Sequence, residues 1–155
     1  MAYADYDFYS KTFHGDALTK ENAEKWLDRA SDEIDALTFG RLTFAFPTVE
    51  AHAVKVRKAA CAVAEALYYI DIQRQAASAQ QAEDGGYRGA VSSITSGKES
   101  ITFSTGSNGN IYSAAAASSE AQTELLRKTI SKYLANIPDA KGVNLLYAGG
   151  GGHVP

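Results

Sequence analysis

The sequence predicts a mainly α fold. It reads as a small helical bundle of three main helices with a long central helix, a β-hairpin insertion between the second and last helices, and an extended C-terminal tail. Three observations predict it. Apolar residues recur at three- and four-residue steps in residues 23–37 and again in 125–137. Between them the run Ala59 to Ile72 is apolar on nearly every face. Clean alternation is confined to Ser100–Ser104, beside the turn Ser96-Gly97-Lys98-Glu99. A chain of 155 residues has the size of a single domain. Its expected parts are an aromatic N-terminal segment (1–18), helices 1 and 2 (19–84), hairpin and linker (85–118), last helix (119–137) and tail (138–155).

The first segment carries Tyr3, Tyr6, Phe8, Tyr9 and Phe13, and predicts a short turn or helix packed on the body. Thr19 is an N-cap candidate, with Glu21 in the first turn where the helix dipole favours an acid. Ala23, Trp26, Leu27, Ala30, Ile34 and Leu37 then form one apolar stripe, and Gly40 supplies a left-handed stop. Residues 41–47 read as a connector, with Phe44 and Phe46 plugging one end of the core. Thr48 is the next cap candidate, opening a helix from Val49 to about residue 79. The middle of that helix, apolar all round, needs cover all round, more than a solitary molecule offers. Gly85-Gly86 breaks it; the hairpin follows, with Ile101 and Phe103 on one side of its second strand. A lone hairpin is barely stable, so it needs helices or a partner to pack on. Residues 105–118 read as a small-residue linker, Ser119 and Gln122 as a capping box, and Pro138 as the stop of the last helix. The apolar stretch Val143–Ala148 precedes four glycines and is not expected to remain exposed.

Charge excludes one class outright. Lys and Arg number 15 against 18 Asp and Glu, a net charge of −3, which does not suit a protein that grips nucleic acid by counterion release. The charge is uneven: 5 minus 9 gives −4 over residues 1–47, 4 minus 5 gives −1 over 48–84, and 6 minus 4 gives +2 over 85–155. The acidic, aromatic start is unlike a secretory leader. The Ala59–Ile72 run contains Glu65 and Asp71 and is shorter than the ~20 residues a bilayer requires. No membrane association is expected. Cys61 is the one cysteine, so no intrachain disulfide forms, and a reducing compartment is expected.

Candidate chemistry is sparse. Glu24, Asp28 and Asp32 step by four along one helix face. Such a ladder could hold a hard cation, but a solvated or intersubunit acidic face explains it better. Lys55 and Lys58 share a face of the second helix and are candidates to meet that ladder, in the same subunit or the next. His14, His52 and His153 are scattered and read as surface or capping residues; Cys61 in its Ala/Val run reads as a small buried hydrophobe. Gly149–Gly152 lacks the Lys-Ser/Thr of a phosphate loop and reads as a tether. No catalytic residue, metal or cofactor is expected, and the residues alone describe a non-enzymatic, oligomer-prone helical protein.

Several stretches in order resemble head-tail connector (adaptor, or head-completion) proteins of long-tailed bacteriophages and prophages. Residues Trp26 to Arg41 resemble their first helix, preceded by the aromatic lead-in at Tyr3, Tyr6 and Tyr9 and by Gly15. Lys58 to Glu65 resembles the second helix, and Ile94 to Phe103 the hairpin after it. Ile130 to Leu134 and Leu145 to Gly149 are similar to the last helix and tail. Two stretches depart from the pattern: Ile137–Gly142 lengthens the step to the tail, and Ser113–Ser119 is Ala-rich.

The resemblance implies a structural virion protein that forms a homo-oligomeric ring, as a rule of twelve copies, below the portal. Such a ring extends the DNA channel and joins the filled head to a stopper or tail-completion protein. DNA passes through it without sequence-specific binding. The implied place is the virion neck, and the host cytoplasm during assembly. On this reading Glu24, Asp28 and Asp32 face Lys55 and Lys58 across the ring contact. Leu145, Leu146 and Tyr147 meet the portal or another partner, and Ile94, Lys98, Ile101 and Phe103 face the channel or the next neck protein. The rival readings are another neck component (stopper or tail terminator), a small cytosolic helical protein-binding regulator, and an enzyme using the acidic ladder with a metal.

Overall fold

The structure, a computed structural model, describes residues 2–84, 93–96, 99–102 and 111–148, with side chains described in 2–78 and 111–148. Local chemistry starts each early helix. Asp5 accepts the Phe8 N–H at 2.8 Å and caps α1 (Tyr6–Lys11). Thr19 caps α2 (Lys20–Leu37) reciprocally with Asn22: the Asn22 N–H donates to Thr19 Oγ1 at 3.3 Å, and the Thr19 N–H to Asn22 Oδ1 at 2.9 Å. The face α2 buries is the predicted stripe as far as Ile34, namely Ala23, Trp26, Leu27, Ala30 and Ile34, with Ser31; Leu37 at its end is only half-buried.

α2 ends on two successive left-handed residues, Phe39 (φ 59°) and Gly40 (φ 73°). The Gly40 N–H closes on the Asp35 carbonyl at 2.9 Å. This turn redirects the chain into α3 (Arg41–Ala45), a short helix where the sequence predicts a connector. Phe44 does not plug the core, because it projects from α3 and is 82% exposed. Phe46 does pack, its ring 5.7 Å from that of Tyr3.

α4 (Glu50–Asp84) is the long central helix. Val49 rather than Thr48 takes the cap position, its carbonyl accepting from His52 and Ala53 N–H at 3.0 and 2.9 Å. The apolar middle of α4 is covered within one chain: Ala59, Ala60, Cys61, Val63 and Ala64 are all 0% exposed. The expectation that this helix exceeds what one molecule can hide is therefore corrected. Alanine side chains are short enough for neighbouring backbones to close over them.

The backbone of β1 (Ser93–Ser96) pairs antiparallel with β2 (Glu99–Thr102), Ile94 opposite Ile101. The fold class rests on the helices and not on this pair. Lys98, Phe103, the Gly106–Gly109 stretch and His153 lie outside the described residues, as do the side chains of Ile94 and Ile101. α5 (Ile111–Ala117) occupies part of the predicted linker, since its alanines are the strongest helix formers. α6 (Ser119–Leu134) is capped by Ser118, whose Oγ accepts the Ala121 N–H at 3.2 Å, and not by a Ser119–Gln122 box. Gln122 instead accepts from Arg74 Nη2 at 2.6 Å. α6 stops at Leu134, short of Ile137, and Asn136 turns the chain at φ 65°.

The C-terminal chain is not extended through residue 148. Asp139 closes it into a loop: its N–H donates to the Val143 carbonyl at 2.7 Å, while Oδ1 accepts from Lys141 and Val143 N–H at 2.8 and 2.9 Å. The loop is docked on α3. Ala140 N–H reaches the Ala45 carbonyl at 2.8 Å, and Arg41 Nη1 donates to the carbonyls of Asn144 and Leu145 at 3.2 and 3.0 Å. Leu145 is thereby 0% exposed.

The described chain is mainly helical and divides into two compact units, residues 1–65 with 126–155, and residues 66–125; α4 and α6 run through both. The first holds Tyr9, Leu27, Ile34, Val56, Ile130, Leu134 and Leu145 as fully buried side chains. In the second, the rings of Tyr69 and Tyr112 lie 4.9 Å apart. Among the described residues no helix is long and apolar enough to cross a membrane.

Candidate functional site

Among the described residues of the first unit, the Tyr9 hydroxyl is a densely connected polar group. It donates to Glu65 Oε2 at 2.6 Å and accepts from the Ala17 and Leu18 N–H at 2.8 and 3.0 Å. One oxygen thus ties α1 and the strap after it to α4. Gly15 is required beside it, because a Cβ there would sit 2.3 Å from the Tyr9 ring. Burial, with Asp16 nearby, raises the Glu65 carboxyl above the usual range, against the opposing pull of the Tyr9 and Ala17 hydrogen bonds. The same surroundings push the Cys61 thiol up to about 12, mainly by burial, so it stays an unreactive hydrophobe. With its near oxygen held by Tyr9, Glu65 reads as a fastening rather than a catalytic acid.

The raised Glu65 value has a sign. The folded state holds this proton to higher pH than the unfolded chain does. Its contribution to stability therefore falls as pH rises from the ordinary Glu range through the raised value. Glu65→Gln keeps an acceptor for Tyr9 and removes the charge. Relative to wild type, the variant is expected to gain stability across that interval and level off above it. Urea melts at a series of pH values check this; a difference that does not vary with pH would refute it.

The surface residues fall into three places. Glu24, Asp28 and Asp32 are all exposed on α2, as one ladder. Lys55 is exposed and Lys58 half-buried on α4, and among the described residues neither forms an ion pair with that ladder; Arg57, between them, reaches Glu50 at 3.9 Å. Among the described residues no group of three or more His, Cys, Asp or Glu side chains is placed to hold a metal ion. His14 is exposed and His52 half-buried, on separate elements. Beside the ladder, a groove of about 630 Å³ opens between the N-terminal segment, α2 and α4, with Tyr3, Tyr6, Phe8, Leu27, Glu24 and Arg57 in its walls.

The third place was visible in the sequence only in part. Among the described residues of the first unit, Phe39, Phe44, Val49, Val143 and Tyr147 are the large exposed apolar ones, lying beside or on α3, at the cap of α4 or on the loop docked on α3. Arg41 joins the turn before α3 to that loop: its guanidinium lies 5.3 Å from the Phe39 ring centre while it holds the Asn144 and Leu145 carbonyls. Leu145 leaves the partner-facing set because its own unit buries it; Leu146 is half-buried and Tyr147 is 47% exposed. The sequence signals are two: Phe44 in a connector, which reads equally well as a core plug, and the apolar stretch Val143–Ala148, which supplies Val143 and Tyr147.

Compared with protein-family models, curated proteins and solved structures, the chain has no match.

Proposed function

We propose that this chain is a structural protein of a bacteriophage neck, a ring adaptor that joins the DNA-filled head to the stopper or tail and lengthens the DNA channel. The observation that carries the reading is the apolar surface around α3, where Phe44 is 82% and Phe39 57% exposed. Scattered apolar exposure is ordinary, but exposed aromatics on one short helix and its flanks, with an arginine among them, have the composition of a protein–protein contact. The order of the connector-like stretches along the chain supplies the rest.

In this reading the Glu24, Asp28 and Asp32 ladder and Lys55 with Lys58 lie on opposite sides of a heterologous ring contact. Leu146 and Tyr147 meet the portal. Ile94, Lys98, Ile101 and Phe103 face the channel or the next neck protein. A stopper or tail terminator would be richer in β-structure, so the helical fold favours the adaptor. A cytosolic helical regulator would use the same apolar surface, but as a small species with a different partner.

Co-sedimentation with purified portal rings tests the proposal. Wild type is expected to bind as a ring of many copies, and Leu146→Ala/Tyr147→Ala to bind at least about tenfold more weakly while folding normally. A chain that stays a single-copy species and ignores portal rings would overturn it.

A further inference from the structure

Two surfaces of the first unit lie at opposite ends of α2 and differ in shape and charge. Beyond its C-terminal end stands a knob, Phe39 and Phe44 with Arg41 and Lys141 beside them. The acid of that region, Asp139, is buried and spends Oδ1 on two backbone N–H groups, so the knob presents cations only. Toward the N-terminal end lies the groove walled by Tyr6, Phe8 and Leu27, with Glu24 in its wall and Glu21 in the adjoining depression. Of the nearby cations, Lys20 stands in the groove wall, Lys25 and Arg29 lie over the Trp26 ring at 4.6 and 5.2 Å, and Arg57 is drawn to Glu50 at 3.9 Å. From Glu24 to Thr38 the helix rises about 21 Å.

Phe39 adds a second observation. A bulky residue at φ 59° is strained, and glycine there would relieve it. The chain instead keeps an aromatic ring in solvent at that position, under a guanidinium. In the single molecule the ring gains the Arg41 contact while staying more than half exposed, so a further gain lies with whatever covers it.

We infer that the α3 knob of one copy docks in the α2 groove of a second copy, Phe44 entering between Tyr6, Phe8 and Leu27 while Arg41 and Lys141 meet Glu21 and Glu24. An aromatic side chain is small beside a groove of about 630 Å³, and the acidic rim complements the cationic knob. Two different surfaces at opposite ends of one helix make the contact head-to-tail, the arrangement that generates rings when its rotation closes. The inference rests on the self-association in the proposed function and names the surfaces that carry it.

Sedimentation velocity of the full chain over a range of concentrations tests it. Wild type is expected to grow in mass with concentration. Phe44→Asp and, separately, Glu21→Lys/Glu24→Lys are each expected to weaken that growth about thirtyfold or more. Phe44 is 82% exposed, so its variant folds, as a melt followed by Trp26 fluorescence will register. Mixed together, the two variants are expected to pair one to one, because each keeps one intact surface. A wild type that stays single-copy, or a mixture that does not pair, overturns the inference. Assemblies that keep their mass with Phe44→Asp overturn this contact and leave the ring reading standing; that reading is decided by binding to portal rings.

Discussion

Replacing Tyr9 by Phe is expected to lower the unfolding free energy of the first unit by about 2–4 kcal/mol. The ring stays and no cavity opens, so the loss isolates one oxygen. Three groups depend on it: the Ala17 and Leu18 N–H lose their acceptor, and Glu65 loses its donor at 2.6 Å. Leu18 is 3% exposed and Tyr9 0%, so water does not readily replace the hydroxyl. A single hydrogen bond is worth about 1 kcal/mol net, but a stranded buried group costs about 1–3 kcal/mol, and stranding is what decides the size here. Trp26 is the one tryptophan and belongs to this unit, so its fluorescence in a urea melt follows the right transition. In a Glu65→Gln background the loss should shrink without vanishing, because the two amides are still stranded. A loss below about 0.5 kcal/mol would mean that the strap over α4 is held by its aromatic packing alone.

What the sequence makes legible is local. The capped start of α2, its apolar stripe and the long central helix depend on spacings of three and four residues, and they stand where those spacings put them. What it hides is of two kinds. α5 and α3 are short segments with weak periodicity: the first looks like linker because its alanines are small, the second like connector because a left-handed Phe39 is not foreseeable from residue type. The other kind is pairing across long separations. Tyr9 finds Glu65 at a separation of 56 residues, and Arg41 finds the carbonyls of residues 144 and 145 at separations of 103 and 104. Aromatics near the N-terminus announce themselves as sticky, but nothing in their spacing says which acid completes them. The candidate surface suffers most from this. The acidic ladder is legible because it lies on one helix, whereas the exposed aromatic group exists only once the loop closed by Asp139 has docked beside α3.

Leu145 and its two neighbours separate fold from assembly. Leu145→Ala is expected to destabilise the first unit by about 2–5 kcal/mol, the range for a leucine removed from a closed core. Leu145 is 0% exposed, and both ends of its backbone are fixed, the N–H on the Ile137 carbonyl at 2.9 Å and the carbonyl on Arg41 at 3.0 Å. A site so held collapses poorly around a lost side chain, which puts the effect toward the upper half of that range. Tyr147→Ala is expected to change stability by less than about 0.5 kcal/mol, since its side chain is substantially exposed. For partner binding the order should reverse: Tyr147→Ala weakens it at temperatures where both variants are folded, while Leu145→Ala acts only by populating the unfolded unit. Melts followed by Trp26 fluorescence, set beside binding to portal rings well below each midpoint, check the two halves. If Leu145→Ala left the melt unchanged and abolished binding, the loop would be a partner arm resting on the body rather than part of its core. The apolar surface around α3 would then have to be redrawn without it.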